Sequence, residues 1–433
     1  MKHIKIRRRY VLIAIGIAVI MLIAVIKPSD RGASYTRYFA ALNADLKKEG
    51  PGRPVILVDM DRLDRNLALL TSLIKPPLSY RIVVKSLPSV RLVRYIMEKT
   101  GTKKFMVFHQ PDVSLLAEEF GGDIDILLGK PMPASAVREF YRGFTGRTGF
   151  NPAAQVQWLA DTPARVNQYR SLAAERNISM KISVEIDVGL HRGGIATMAD
   201  LDEALDAIAA SGGSLVFSGF MGYDVHAGSA PAVFSGRERA IRSAFDETME
   251  RYRAFYDHAK KKYPALFTGA LTLNSGGSHT YRLFDGTGPV NDISVGSGLV
   301  KPSDFDTVLL KDHEEALYVA TPVLKKLDGT TIPFLEKLSW LWSAWDPNMQ
   351  RTYFIYGGEW RAAYCSPSGL QRNSLYGMST NQAIVNGSAR TGIGVDDYIF
   401  LRPTQSEGIM REFGDIVLVR GGKIADRWQA FPE

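Results

Sequence analysis

The sequence predicts a (β/α)8 TIM-type barrel that is preceded by an N-terminal transmembrane helix and followed by a β-rich second domain. Eight short apolar runs alternate with helix-like segments between residues 80 and 296, which is typical of a parallel barrel. Beyond residue 315 the apolar runs are separated by Gly, Asp and Asn turns, which indicates a β-rich domain. The 433 residues, 45% of them hydrophobic, are enough for two folded units.

The predicted barrel strands are short apolar stretches that end at a turn: 80–85, 104–108, 123–128, 155–160, 181–187, 215–222, 270–275 and 292–296. In the second domain we predict strands at 316–324, 353–356, 383–385, 397–402 and 415–420. The predicted domains are a basic segment with an anchor at 1–29, a tether at 30–52, a barrel at 53–310 and a C-terminal domain at 311–433.

The N-terminus predicts an uncleaved membrane anchor. Five basic residues precede an unbroken apolar run at 10–26, which is close to the minimum length for spanning a bilayer. The run lacks the small residues of a signal-peptidase site, so an anchor is favoured over a cleaved signal peptide. Because basic residues stay in the cytoplasm, we expect a single-pass protein of a bacterial inner membrane with a periplasmic catalytic domain.

Charge and cysteine content exclude some classes of function. The net charge is +8, but the basic residues outside the N-terminus form no stripe, so we expect no nucleic-acid partner. A phosphate-bearing cofactor or a carboxylate substrate explains local arginines equally well. Cys365 is the only cysteine, which excludes an intrachain disulfide and a cysteine-rich metal site.

Chemically distinctive residues fall at the predicted strand ends. Lys85 closes the first barrel strand, Arg192 lies in a glycine-containing turn at 187–194, and a Gly-Gly-Ser loop follows the strand at 270–275. Barrel chemistry resides at the C-terminal ends of strands, so these residues should meet on one rim. An amine, an arginine and a glycine-serine loop are the parts needed to hold pyridoxal phosphate, which forms a Schiff base with lysine.

The chain resembles the fold-type III pyridoxal phosphate enzymes, which are alanine racemase-like, and within them the D-threonine aldolase and D-serine dehydratase group. The resemblance rests on Lys85, on the Asp-Val-Gly-x-x-Arg-x-Gly turn at 187–194, on the opening segment 54–66 and on the Gly-x-x-x-Tyr stretch at 219–223. Segments 402–404, 414–415 and 426–428 are similar to the C-terminal end of the group, whereas 325–395 matches poorly.

The resemblance implies roles for individual residues. Lys85 would be the catalytic Schiff-base lysine, Arg192 would lie near the cofactor's phenolic oxygen, and Tyr223 would pack on or beside its ring. His191 and His226 lie near these motifs and are candidates for substrate contact. The predicted phosphate cradle consists of backbone and hydroxyl donors: Gly276, Gly277, Ser278, Thr280, Gly296 and Ser297.

The chain departs from the group at the metal position. The group holds a divalent metal with a His-x-Cys or His-x-Asp pair, and this metal polarises the substrate's β-hydroxyl. The corresponding positions here are Gln405 and Glu407, and no histidine follows His313. Glutamine is a poor ligand for zinc or manganese, although Glu407 can hold a harder cation together with water. The sequence therefore predicts the cofactor and leaves the metal open.

These inferences predict a pyridoxal phosphate-dependent lyase, an aldolase or a dehydratase, that acts on D-amino acids with a β-hydroxyl through Lys85. One alternative is an amino acid racemase or epimerase, but such an enzyme needs two proton-transfer groups and only Lys85 is clear in the sequence. A second alternative is a membrane-tethered binding protein with a degenerate site. The resemblance also implies a homodimer.

Overall fold

A computed structural model describes residues 10–11, 14–17, 21, 25–232 and 236–432, and the chain divides into two compact units. The barrel unit comprises 56–317, 403–420 and 425–433, and the second unit comprises 1–55, 318–402 and 421–424. The division near 317 lies close to the predicted domain boundary at 310. Segments 403–420 and 425–433, which the sequence analysis assigned to the C-terminal domain, instead cluster with the barrel.

Eight parallel strands form a closed barrel, which confirms the predicted fold class. The strands are β2 (Ser79–Val83), β3 (Lys104–Val107), β4 (Asp125–Leu128), β5 (Val156–Ala160), β6 (Met180–Glu185), β7 (Leu215–Met221), β8 (Thr272–Ser275) and β9 (Asp292–Val295). The barrel closes where β2 pairs with β9, with Tyr80 opposite Ile293 and Ile82 opposite Val295.

Helices connect the strands and begin at capping residues that the sequence supplies. The helices of this unit are α2 (Met60–Leu73), α3 (Val90–Thr100), α4 (Gln110–Phe120), α5 (Ala134–Gly143), α6 (Pro152–Gln155), α7 (Pro163–Arg176), α8 (Met198–Ala209) and α9 (Arg237–Lys262). The side chains of Asp59, Thr162 and Thr197 each accept a hydrogen bond from the backbone N–H three residues later. These caps satisfy N–H groups that would otherwise lack a partner and fix where each helix begins.

One strand outside the barrel explains why residues 403–420 belong to the barrel unit. β1 (Val55–Asp59) pairs in parallel with β16 (Asp415–Arg420), with Ile56 opposite Ile416. The β1 strand leads directly into α2 of the barrel, so its partner is fixed to the same unit. β17 (Lys423–Gln429) follows β16.

The second unit is antiparallel and includes the region that the sequence left without a match. Its elements are α1 (Arg37–Glu49), β10 (Leu317–Asp328), α10 (Trp340–Trp345), β11 (Arg351–Tyr356), β12 (Ala362–Ser366), β13 (Gln371–Arg372), β14 (Gln382–Gly387) and β15 (Tyr398–Pro403). β10 pairs with both β11 and β15, and β14 pairs with β11 and β13. Residues 325–395 therefore extend a sheet.

The segment predicted to be a tether is docked on this second unit. Tyr35 donates its hydroxyl to the Tyr398 carbonyl at 2.8 Å, and Lys47 forms an ion pair with Asp397 at 2.8 Å. Phe39 packs edge-on against Tyr318, with ring centroids 5.3 Å apart. Residues 35–47 are consequently part of a folded unit.

The predicted anchor at 10–26 falls largely outside the described residues. Within the part of the chain that the structure describes, no helix has both the length and the apolar character needed to cross a bilayer. The transmembrane helix therefore stays a prediction from the sequence.

A buried ion pair joins the first and last strands inside the barrel. Both side chains, Arg81 on β2 and Asp292 on β9, are fully buried, and Arg81 Nε lies 2.6 Å from Asp292 Oδ1. Arg81 also contacts Asp125 on β4 at 2.5 Å, and Lys104 on β3 approaches Asp292 Oδ2 at 3.1 Å. Although burial opposes ionisation, Arg81 and the other donors hold the pKa of Asp292 below its ordinary value.

We expect Asp292→Asn to lower the free energy of unfolding of the barrel by about 3–5 kcal/mol, because Arg81 would stay buried without its bidentate partner. The measurement is the urea midpoint followed by circular dichroism. Glu175→Gln is the matched control, since it breaks an exposed ion pair with Arg138 and should leave the midpoint unchanged. Equal midpoints for Asp292→Asn and the unmodified protein would contradict the assigned role.

Candidate active site

An open cavity lies at the C-terminal ends of the barrel strands. Its wall contains the residues that immediately follow several strands: Phe108 after β3, Gly129 after β4, Gly222 after β7, Gly276 after β8 and Gly296 after β9. The predicted convergence of strand-end residues on one rim is thus observed.

Lys85 reaches this cavity from a short 3₁₀ turn, Val84–Ser86, that directly follows β2. Its Nζ lies 2.8 Å from Glu407 Oε1 and 4.1 Å from the centre of the Phe108 ring. The Lys85 side chain keeps 34% of its surface exposed, so its amine is accessible from the cavity.

The segment after β15 brings Glu407 to the amine. Ser297 bridges the two sides of the cavity, because its hydroxyl lies 2.9 Å from Ser86 Oγ and 3.1 Å from Ser406 Oγ. Ser86 Oγ in turn donates to Glu407 Oε1 at 3.4 Å. Three serine hydroxyls therefore fix the position of the carboxylate that faces Lys85.

Arg192 is presented by a turn built around Asp187. The Asp187 carboxylate accepts hydrogen bonds from the backbone N–H groups of Gly189 at 2.9 Å and His191 at 3.0 Å, and these bonds hold the turn. Gly194 has a φ of +91°, and a Cβ there would lie 2.7 Å from the Ile186 carbonyl carbon. Only glycine fits this position, which returns the chain to the barrel wall.

The Arg192 guanidinium lies over the Tyr223 ring, 4.8 Å from its centre. Burial raises the pKa of Tyr223 to about 12, and the neighbouring Asp224 adds to this shift, so the phenol stays protonated at neutral pH. Glu185, at the end of β6, lies near Arg192, and burial raises the pKa of Glu185 to about 7 despite that positive charge. The arginine is therefore stacked on an uncharged aromatic surface.

The glycine-serine loop after β8 is held from behind by a buried carboxyl group. The Thr280 hydroxyl accepts from the Gly277 N–H at 3.1 Å and donates to Asp224 Oδ1 at 2.8 Å. Asp224 is fully buried, and this burial raises its pKa to about 7. Thr280 is not among the residues that line the cavity, and its hydroxyl supports the loop; its contact with a phosphate stays a prediction.

The loop after β9 approaches the loop after β8 closely. Gly298 donates its backbone N–H to Ser278 Oγ at 2.8 Å, and a Cβ at Gly296 would lie 2.8 Å from Val83. Glycine at 296 is therefore required for the β9 loop to pass beside β2. This packing brings Ser278, Gly296 and Ser297 to the same side of the cavity as Lys85.

Two predicted substrate contacts lie outside the cavity wall. His191 is exposed and its Nδ1 lies 2.6 Å from Asp187 Oδ2, so this ring completes the turn. His226 packs beneath the same turn, with its Nε2 3.2 Å from the Thr248 hydroxyl. The other predicted site residues line the cavity: Lys85, Arg192, Tyr223, Gly276, Gly277, Ser278, Gly296 and Ser297.

The cavity contains a histidine that the sequence analysis did not select. His279 lines the wall and stacks on Phe305, with ring centroids 4.4 Å apart. Burial lowers the pKa of His279, so its imidazole is neutral, and its buried Nδ1 has no hydrogen-bond partner among the described residues. Its position directly after Gly276-Gly277-Ser278 is the sequence signal that points to it.

The two positions that correspond to the metal ligands of the resembling group have other partners. Gln405 donates its amide to Asp304 Oδ2 at 2.6 Å, whereas Glu407 pairs with Lys85. Among the described residues, no three His, Cys, Asp or Glu side chains are grouped as a metal site would require.

The cavity residues fit pyridoxal phosphate. An amine, a stacked guanidinium and a glycine-lined loop face one space, and a Cβ at Gly277 would press on the Tyr223 ring at 3.3 Å. The unpartnered Nδ1 of His279 is available for a ligand oxygen. Lys85, Arg192 and the loops at 276–278 and 296–297 are the residues that would hold the cofactor.

Solved structures with similar folds include three enzymes. A D-threo-3-hydroxyaspartate dehydratase from a Delftia species has a TM-score of 0.65 and 15% identity, covering 90% of this chain and 99% of that one. A D-threonine aldolase from Filomicrobium marinum has a TM-score of 0.64 and 14% identity, covering 87% and 96%. An alanine racemase from Bacillus anthracis with bound L-Ala-P has a TM-score of 0.63 and 14% identity, covering 87% and 97%.

No curated protein matches the chain by sequence. At 14–15% identity the structural similarities show the fold, and they agree with the predicted resemblance to fold-type III pyridoxal phosphate enzymes. The family described as "Alanine racemase, N-terminal domain" matches residues 58–302, which is more than half of the sequence. The chain therefore belongs to the alanine racemase N-terminal domain family.

Proposed function

We propose that the protein is a pyridoxal phosphate-dependent lyase that acts on D-amino acids carrying a β-hydroxyl group. The observation that carries the proposal is the Lys85 amine, which faces an open cavity 2.8 Å from a carboxylate and among the glycine-lined loops. When bound, pyridoxal phosphate supplies an aldehyde for the lysine and an electron sink for a carbanion at Cα.

In the first step, Glu407 would accept a proton from the Lys85 amine. An ammonium group is not a nucleophile, so Lys85 must lose a proton before it can react with a carbonyl group. Glu407 Oε1 lies within hydrogen-bond reach and would accept this proton from Nζ, after which the neutral amine is ready to attack. The released proton stays on Glu407 and can be returned during the reaction.

The remaining cavity residues would bind the cofactor and orient it. Arg192 carries a positive charge over Tyr223 and would stabilise a phenolate oxygen of the cofactor. The loops at 276–278 and 296–297 offer backbone N–H groups and serine hydroxyls to a phosphate group. Phe108 and Phe305 give the cavity an apolar wall that limits access of water.

The proposed substrate class draws on the structural relatives. Two of them are named as a D-threo-3-hydroxyaspartate dehydratase and a D-threonine aldolase, whose names specify D-amino acids with a hydroxyl on Cβ. Loss of water or cleavage of Cα–Cβ both start with the same lysine chemistry. We infer that this chain catalyses one of these two reactions.

A racemase or epimerase is a second candidate, and His279 favours it. Inversion at Cα requires two proton-transfer groups. The neutral His279 imidazole provides a second group in the same cavity as Lys85. Deuterium incorporation at Cα without formation of an aldehyde, a keto acid or ammonia would favour this candidate over the lyase.

We also propose that residues 10–26 anchor the protein in a bacterial inner membrane, with the barrel on the periplasmic side. The support is the apolar run and the five basic residues before it. A homodimer is proposed from the family resemblance alone.

The first test of the function is the visible absorption spectrum of the protein with pyridoxal phosphate, before and after borohydride. We expect an absorption band that reduction fixes covalently to the chain, and we expect Lys85→Ala to abolish the covalent label. Lys103→Ala, which removes an exposed lysine paired with Asp123, is the matched control and should be labelled like the unmodified protein. Equal labelling of Lys85→Ala would sink the proposal.

A second test concerns Glu407. In Glu407→Gln the covalent label should form more slowly, and the rate of deuterium exchange at Cα of a D-amino acid should fall about 10²–10⁴-fold, because Lys85 loses the group that accepts its proton. Glu412→Gln makes the same change at an exposed carboxylate of the same segment and should leave the exchange rate unaltered. An undiminished rate in Glu407→Gln would refute the role of this carboxylate.

A third test uses the buried carboxyl behind the loop. A carboxyl with a raised folded-state pKa stabilises the fold fully below its unfolded pKa, near 4, and this contribution is lost as pH rises through about 7. The free energy of unfolding of Asp224→Asn, taken relative to the unmodified chain, should therefore be about 2–3 kcal/mol higher at pH ~8 than at pH ~5. Urea unfolding at the two pH values measures this difference.

The control for the third test is Asp285→Asn. Hydrogen bonds from the side chain and backbone of Thr287 hold the pKa of Asp285 below its ordinary value, so this group stays ionised across the same pH window. The stability difference for Asp285→Asn should not change with pH in that window. A flat difference for Asp224→Asn as well would show that Asp224 does not titrate near pH 7.

A further inference from the structure

Residues 334–345 of the second unit, here named the aromatic segment, expose a dense set of apolar side chains. Phe334 is 95% exposed and Trp340 is 62% exposed. The other exposed apolar residues of the segment are Leu335, Leu338, Leu341, Trp342 and Trp345. Contiguous apolar surface of this kind marks an interaction site on a folded protein.

In the aromatic segment a polar side chain is buried and the apolar side chains are exposed, which is the reverse of an ordinary surface helix. Its buried position is the polar residue Ser339, whose hydroxyl accepts from the Ile332 N–H at 2.8 Å and donates to the Leu335 carbonyl at 3.0 Å. The serine thus faces the protein while tryptophan and leucine face outward. An ordered backbone that turns its apolar side chains outward is suited to an apolar environment beyond the protein surface.

The aromatic segment is tied to the chain that leaves the predicted anchor. Asn348, three residues after α10, donates its amide to the Ser29 carbonyl at 2.8 Å and accepts from the Arg31 N–H at 2.9 Å. A Cβ at Gly32 would lie 2.0 Å from Ser388 Oγ, so the following residue is also packed on the same unit. The exit of the apolar run is therefore held beside the aromatic segment.

The separation along the chain limits how far the aromatic segment can lie from a membrane. Ser29 is three positions after Ile26 and Asn348 is three positions after Trp345, and each such interval spans at most about 11 Å. If Ile26 ends the anchor at the bilayer surface, Trp345 lies within about 25 Å of that point. Tryptophan is enriched at membrane interfaces, and exposed leucine and phenylalanine enter the headgroup boundary.

We infer that the aromatic segment is a second membrane contact, which inserts its tryptophan and leucine side chains into the interface of the bilayer that holds residues 10–26. The inference rests on the proposed anchor. The occupant of this surface is thus the headgroup boundary of a phospholipid bilayer. The contact would fix the orientation of the second unit relative to the membrane, which a single anchor helix cannot do.

The test uses the full chain in phosphatidylethanolamine–phosphatidylglycerol vesicles whose acyl chains are brominated near the headgroup. Flotation of the vesicles reports anchoring, and quenching of tryptophan fluorescence by bromine reports insertion. Because three of the six tryptophans lie in the aromatic segment, we expect emission to fall by up to about half relative to vesicles without bromine. The variant with Trp340→Phe, Trp342→Phe and Trp345→Phe keeps the apolar surface and should lose most of the quenching.

The outcomes separate the inference from the anchor on which it rests. Flotation with quenching that depends on the three tryptophans supports both. Flotation without quenching, or with equal fractional quenching in the triple variant, overturns the inference and leaves the anchor intact. Failure to float overturns both the anchor and the inference. Burial of the segment in a dimer, detected as unquenched fluorescence together with a change in oligomeric state, also overturns it.

Discussion

The ion pair between Arg81 and Asp292 is the interaction on which the rest of the barrel unit depends. These two residues lie on the first and last strands, so their contact coincides with the closure of the barrel. A buried ion pair is stable only when both charged groups keep all of their hydrogen-bond and ion-pair partners. Asn274 extends the network, because it donates to Asp292 and to Ser294, which lines the cavity. The same polar chain that closes the barrel thus reaches the floor of the candidate site.

Closure of the barrel also determines the composition of the rim. With β2 beside β9, the loops after these strands lie side by side, and Ser86 contacts Ser297. Ser406 and Glu407 then reach this pair from a segment that β16 attaches to β1. Lys85 thus obtains its counter-charge through strand pairings outside its own loop. A barrel rim built in this way can change its chemistry through the added segment while its strands stay the same.

The sequence was informative where structure is local. Apolar runs predicted each barrel strand to within two or three residues, since strand and helix patterns need only near neighbours. The contact between Lys85 and Glu407 was not predicted, because nothing in either neighbourhood encodes a partner hundreds of residues away. For the same reason the hydrogen bonds of His226 with Thr248 and of Thr280 with Asp224 were not predicted. The hydrogen bond between Tyr35 and Tyr398 was also not predicted, because the two residues are far apart in the sequence.

The long separation between Lys85 and Glu407 has a consequence for biosynthesis. Glu407 lies 321 positions after Ser86, the neighbour of the lysine. At translation rates of about 5–20 residues per second, Lys85 is made roughly 15–65 s before the carboxylate that faces it. The barrel strands are complete well before residue 407 is added, so a nascent barrel would present this amine without its counter-ion. The site would become active only when the segment that contains Glu407 docks on the barrel. Activity is therefore delayed until most of the polypeptide has been synthesised.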